Sequence, residues 1–289
     1  VATASDDKTA RVMEAATGKQ IASSMFGGPV KAVTFSQNGK WIAAGSDDAT
    51  VRVIEAATGK QFASLLFDGP VKAVAFSANG KWVAAGSADN SARVMDAVTG
   101  NEVSRLNHGG RVGAVAFSPN GNWVATGSDD KTARVMEAAS GRVISSLFHN
   151  ESVKTVAFSA DGTRVATGSS DKASRVMDAA SGREISRLSH EKTVLAVSFS
   201  PDGMWVATGS ADKTARVMDA LNGKEVLRLS HNGPVNAVAF SSDGRWVGTA
   251  SDDSTARVME AARRNAVTRL AHQEQVNALA FLSLIHISE

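Results

Sequence analysis

Residues Trp123–Glu137 read WVATGSDDKTARVME. Apolar and small residues over Trp123–Ser128 suit a short strand, Asp129-Asp130-Lys131 suits a tight turn, and Thr132–Glu137 suits the returning strand. The stretch recurs. Its Arg-Val-Met core returns at Met13, Met95, Met136, Met177, Met218 and Met259, with Ile54 in the remaining slot, always in steps of 41 residues. Phe35, Phe76, Phe117, Phe158, Phe199, Phe240 and Phe281 keep the same beat, as do seven serines from Ser5 to Ser251. A fixed period of this length marks an array of supersecondary units that bury their faces against one another.

Working outward, the unit begins with a strand at Val103–Leu106 and a second at Val112–Ser118, ahead of Trp123–Ser128 and Thr132–Glu137. Asn120-Gly121 between the second and third suits a hairpin turn with positive φ, and every complete copy carries Asn-Gly or Asp-Gly there. No stretch leaves room for a helix of ordinary length. Four short strands per unit and seven units predict an all-β, seven-bladed β-propeller with four antiparallel strands per blade. The small residue before each serine (Gly45, Gly86, Gly127, Gly168, Gly209, with Ala4 and Ala250) is expected where blade meets blade. The reading makes residues 1–281 one domain. It closes the ring by joining Ala266–Leu270 and Val276–Phe281 to Val1–Ser5 and Thr9–Glu14 in a seventh blade, which would bring His272 to Asp7.

At these residues the chain resembles the WD-repeat family, in its bacterial form, across all seven copies. The resemblance implies a hydrogen-bonded network of histidine, serine, aspartate and tryptophan within each blade. The aspartates are Asp7, Asp48, Asp89, Asp130, Asp171, Asp212 and Asp253; the histidines are His108, His149, His190, His231 and His272, with Phe26 and Phe67 in the first two copies. The expected pairs are His108–Asp130, His149–Asp171, His190–Asp212, His231–Asp253 and His272–Asp7. Methionine or isoleucine replaces the signature tryptophan in every copy, recovering part of its apolar contact. Where Phe replaces His, Asp48 and Asp89 are expected to lose a partner and weaken their blades, unless a water or a backbone N–H serves instead. The strand arginines, Arg11 to Arg257, are expected to pair with acids on neighbouring strands.

The family also implies which end of the blades meets partners. Lys31, Lys72, Lys154, Arg111, Asp6, Asp47, Asp129 and Asp252 are the charged residues assigned to that rim, where copies differ most. Exchanging the three lysines for Glu should abolish capture and leave stability nearly unchanged. The implied work is a non-enzymatic scaffold or sensor for a protein or peptide partner, as a monomeric module of a larger bacterial protein. The alternative is an enzyme or small-ligand binder using the central channel.

Composition excludes several other classes. The 289 residues carry 31 basic and 29 acidic side chains, spread evenly, so no basic stripe points to nucleic acid. The five tryptophans share one slot at the start of the third strand, which suits packing better than base stacking. No apolar run is long enough to span a bilayer, and no charged segment followed by an apolar one opens the chain. Without cysteine there is no disulfide or thiolate chemistry, and the expected location is the cytoplasm. Histidines recurring at one period lie around a ring and do not converge on a metal, so neither cofactor nor catalytic residue is expected. After Phe281 the pattern breaks into LSLIHISE, residues 282–289, which resembles translated read-through of a sequencing adapter, with a genuine divergent tail as the alternative. With the start at Val1 in mid-pattern, the chain reads as an excised piece.

Overall fold

The computed structural model describes residues 1–261 and 266–279. Among them no helix forms, and the strands assemble into seven antiparallel sheets, one per period, as the all-β seven-bladed class requires. Sheet 1 has three strands (Ala2–Ala4, Thr9–Met13, Gln20–Met25); the others have four. Sheets 2, 3 and 4 run over Val30–Leu66, Val71–Asn107 and Val112–Phe148, and sheets 5, 6 and 7 over Val153–Ser189, Val194–Ser230 and Val235–Ala271. The chain divides into two compact units, Val1–Phe148 with sheets 1–4 and His149 onward with sheets 5–7.

One expectation needs correction. The strand Glu102–Asn107 pairs with Ser91–Asp96, so it is the last strand of sheet 3 and not the first of the next. The sequence unit and the sheet are therefore offset by one strand. By the same rule Ala266–Ala271 completes sheet 7 on Thr255–Glu260, and does not belong to a blade shared with the start of the chain. Of the strand expected at Val276–Phe281, residues 276–279 have no strand assignment, while Ala280, Phe281, the tail 282–289 and Arg263-Arg264-Asn265 lie outside the described residues.

Within each unit the cores lie between successive sheets. Ala43, Val51, Val53 and Phe67 of sheet 2 pack with Val71, Val83 and Met95 of sheet 3. Val176 and Leu188 of sheet 5 pack with Val194, Val206 and Met218 of sheet 6. Met95, Met136, Met177, Met218, Met259 and Ile54 in the tryptophan slot are all among the fully buried side chains. The unbranched thioether fits the gap left by the indole. Close approach explains the glycines in this slot: a Cβ on Gly45 would stand 2.6 Å from Val71 Cγ1 of the next sheet, and one on Gly168 2.7 Å from Val194 Cγ1.

A second contact, again within each unit, ties last strands to the following sheet. Arg52, Arg93 and Arg134 donate from Nη1 to the carbonyls of Met25, Leu66 and Asn107, and Arg216 and Arg257 to those of Ser189 and Ser230. Ser104 Oγ donates to Ala138 O at 2.6 Å and Ser186 Oγ to Ala220 O at 2.8 Å.

Candidate functional site

The end of the sheets that bears the aspartate turns is built around the same aspartate each time. In sheet 4, Lys131 takes φ 70° to make the turn, a conformation that costs an L-residue about 1 kcal/mol. Asp130 holds it there. Its Oδ1 accepts from Thr132 N at 3.0 Å and Thr132 Oγ1 at 2.6 Å. Its Oδ2 accepts from Gly109 N at 2.9 Å and Arg134 Nη2 at 3.1 Å, and lies 3.0 Å from His108 Nδ1. Thr126 Oγ1 meets His108 Nε2 at 2.9 Å, and Ser128 Oγ donates to Gly110 O at 2.9 Å.

The same imidazole–carboxylate contact joins His149 to Asp171 at 3.3 Å, His190 to Asp212 at 2.9 Å and His231 to Asp253 at 3.2 Å. His272 is exposed and donates its amide to Ser254 O at 2.7 Å; Asp7 is held in its own turn by Thr9 and Arg11. Burial drives the four histidines below their ordinary 6.5, His149 to about 4, so they are neutral at physiological pH. Burial alone would raise Asp130, but the Thr132 hydroxyl, the Gly109 amide and His108 together hold it far below the usual carboxylate range. A neutral imidazole beside a carboxylate donates from Nδ1 and accepts the threonine proton at Nε2.

Asp48 and Asp89 lose the imidazole where Phe26 and Phe67 replace histidine, but they are not left unpaired, because a backbone N–H serves each. Asp48 accepts from Gly27 N at 2.8 Å, from Thr50 twice and from Arg52; Asp89 accepts from Asp68 N at 3.1 Å, from Ser91 twice and from Arg93. The rings that replace imidazole carry the guanidinium instead, Arg52 over Phe26 at 4.2 Å and Arg93 over Phe67 at 4.4 Å. One expectation about this network fails: the strand arginines do not pair chiefly with neighbouring strands. Each binds the turn aspartate four residues earlier, as in Arg93–Asp89 at 2.7 Å and Arg216–Asp212 at 2.9 Å. Other acids lie farther off: Asp68 is 3.0 Å from Arg93, and Glu102 and Glu225, across the strand, are 3.5 and 3.4 Å from Arg93 and Arg216. The constant offset from Asp to Arg was the signal that could have revealed this.

The rim lysines stand on a feature invisible in the sequence. In the first strand of sheet 2, Val30 pairs with Ser46 and Ala32 with Gly45, so Lys31 is the extra residue of a β-bulge. Lys72, Gly113, Lys154, Leu195 and Asn236 occupy the same bulge in sheets 3–7. A bulge re-aims its side chain out of the ladder. Lys31 Nζ reaches Asp6 at 2.5 Å and Asp47 at 3.8 Å, and Lys72 Nζ reaches Asp47 at 2.5 Å. Arg111 pairs with Asp129 at 3.0 Å, and Asn236 Nδ2 donates to Asp252 at 2.5 Å. Hydrogen bonding to Asp6 raises the Lys31 ammonium above its ordinary value. Lys31 and Lys72 thus bridge sheets 1–3.

At the opposite end, the tryptophans are half-buried at the start of the second strand of sheets 2, 3, 4, 6 and 7: Trp41 meets Phe62 at 4.7 Å, and Lys81 and Arg245 lie over Trp82 and Trp246. Among the described residues no three potential metal ligands gather, and no helix is long and apolar enough to cross a membrane.

The family model for the WD domain, G-beta repeat, matches residues 18–55, 60–96, 100–136, 141–178, 182–219 and 223–259. Each match starts at the turn before a last strand and ends in the next sheet, the offset described above. The crystal structure of the computationally designed Ika8 protein is similar over 98% of this chain and 87% of that one, with 28% identity and a TM-score of 0.88. No curated protein matches the sequence. Propellers of this kind commonly mediate protein–protein contacts and are generally non-enzymatic. The six matches span more than half of the residues, and the chain belongs to the WD40 repeat family.

Proposed function

We propose that the chain is a non-enzymatic scaffold or sensor module that holds a protein or peptide partner against the end of its sheets bearing the aspartate turns. The observation that carries this reading is the bulge in the first strand of sheets 2–7. It sets one position per sheet out of the ladder at that end, and this is where otherwise regular copies diverge: Lys31, Lys72 and Gly113 in the first unit, Lys154, Leu195 and Asn236 in the second. Ion pairs at partly exposed sites are worth about 0–1 kcal/mol each, so a partner can replace them cheaply. An enzyme in the channel would need an acid and a base free to act. The histidine–aspartate pairs are not free, because both oxygens of Asp130 and its counterparts already accept from their own turns.

The test is capture by the immobilised protein, read by cross-linking and mass spectrometry. Neutralising Lys72 and Arg111 together (Lys72→Gln, Arg111→Gln) should reduce capture at least about tenfold. Neutralising Lys19 and Lys60, in turns at the other end, should leave it intact. Equal loss from both sets would overturn the assignment.

A further inference from the structure

Sheets 5 and 6 depart from the repeat at three positions that meet. Arg164 stands where other sheets have Trp41, Trp82, Trp123, Trp205 and Trp246. Met204 takes a hairpin position that is elsewhere Lys40, Lys81, Asn122, Thr163 or Arg245. Leu221 takes a turn position that is elsewhere Ala or Val98. All three line one groove of about 280 Å³, with Asp161, Gly203 and Asp219. That volume lies just under the range of about 300–1,000 Å³ usual for small-ligand sites, enough for a short segment of chain.

Its surface has two parts. Met204 and Leu221 are 58% and 64% exposed, and a hydrogen bond from Ala220 N to Met204 O at 2.9 Å holds their turns side by side. Exposed methionine beside leucine makes an adaptable apolar contact. The polar part is anionic toward solvent. The Arg164 side chain is only 15% exposed, lying over the Phe199 ring at 5.8 Å with Nη2 3.8 Å from Asp161; the Asp161 side chain is 52% exposed. Gly203 leaves room for this guanidinium, since a Cβ there would stand 2.8 Å from Nη2. Asp219 accepts the Leu221 amide through Oδ1 at 2.8 Å, which fixes its carboxylate at the groove wall.

We propose that this groove docks a short peptide segment in which an apolar side chain is followed by lysine or arginine. The apolar side chain covers Met204 and Leu221, and the cation faces Asp161 and Asp219. The groove lies at the hairpin end of its sheets, away from the aspartate turns, so its failure would leave the rim reading standing. The probes are fluorescein-labelled glycine–serine peptides carrying Leu-Lys-Lys, Leu-Glu-Glu or Ser-Lys-Lys, followed by anisotropy. Leu-Lys-Lys should bind saturably, and Met204→Lys or Leu221→Ala should each weaken it at least about tenfold. Both variants restore residues that other sheets carry, so folding is preserved. No saturable binding of Leu-Lys-Lys, equal binding of Leu-Glu-Glu, or unchanged binding by the variants would each overturn the proposal.

Discussion

Asp130 shows why one residue type survives in every copy. It is the acceptor that lets a lysine sit at positive φ, and it collects a guanidinium, a backbone amide, a hydroxyl and an imidazole. Sheet 5 lacks one of these donors. The position that is Thr9, Thr50, Ser91, Thr132, Thr214 or Thr255 elsewhere is Ala173, and Asp171 receives only its amide, at 3.0 Å. Ala173→Thr should return a hydroxyl to Asp171 Oδ1 and stabilise the protein by about 0.5–1.5 kcal/mol, measured by urea unfolding. A loss of stability would mean that the sheet has repacked around the alanine.

At the scale of the element, the glycine turns between third and fourth strands act as latches. Gly141 has φ 74°, and a Cβ there would stand 2.4 Å from Arg105 O on the last strand of sheet 3. Gly39, in a hairpin turn with φ 68°, has nothing within 4 Å of such a Cβ. Comparing Gly141→Ala with Gly39→Ala separates backbone strain from the lost fit between sheets. The first should cost more than the second by about 1–3 kcal/mol, because backbone cannot yield as a flexible side chain can. Equal costs would show that the latch contributes nothing beyond its φ. The contact also covers the middle of an otherwise open strand edge, which would invite pairing with other chains.

For the whole molecule, the buried histidines set the response to acid. His149 faces Asp171, Arg175 and Glu184, and burial lowers it from 6.5 to about 4. Between those values the unfolded chain binds a proton that the folded chain does not, so stability falls as pH drops through that window. The turn aspartates, also held below their ordinary 3.8, add a further loss at lower pH. The thermal midpoint should therefore decline from pH 6.5 toward 4. His149→Phe, which copies the residue found at Phe26 and Phe67, should flatten that decline. A midpoint that stays level or rises over this range would contradict the buried neutral imidazoles.

The period, the strands, the hairpin turns and the family were legible in the sequence because they are local. Each depends on residues close in the chain, and seven copies repeat the evidence. Buried methionine in the tryptophan slot was legible too, since the apolar pattern requires it. The grouping of strands into sheets was not: Glu102–Asn107 lies beside two sheets in sequence order, and only hydrogen bonding to Ser91–Asp96 decides between them. Nor could the sequence show that Lys31 sits on a bulge, that Arg52 and Arg93 stack on the rings that replace histidine, or that Arg164, Met204 and Leu221 share one groove. Those facts depend on register and on contacts between segments far apart in the chain, where a shift of one residue turns a side chain to the other face.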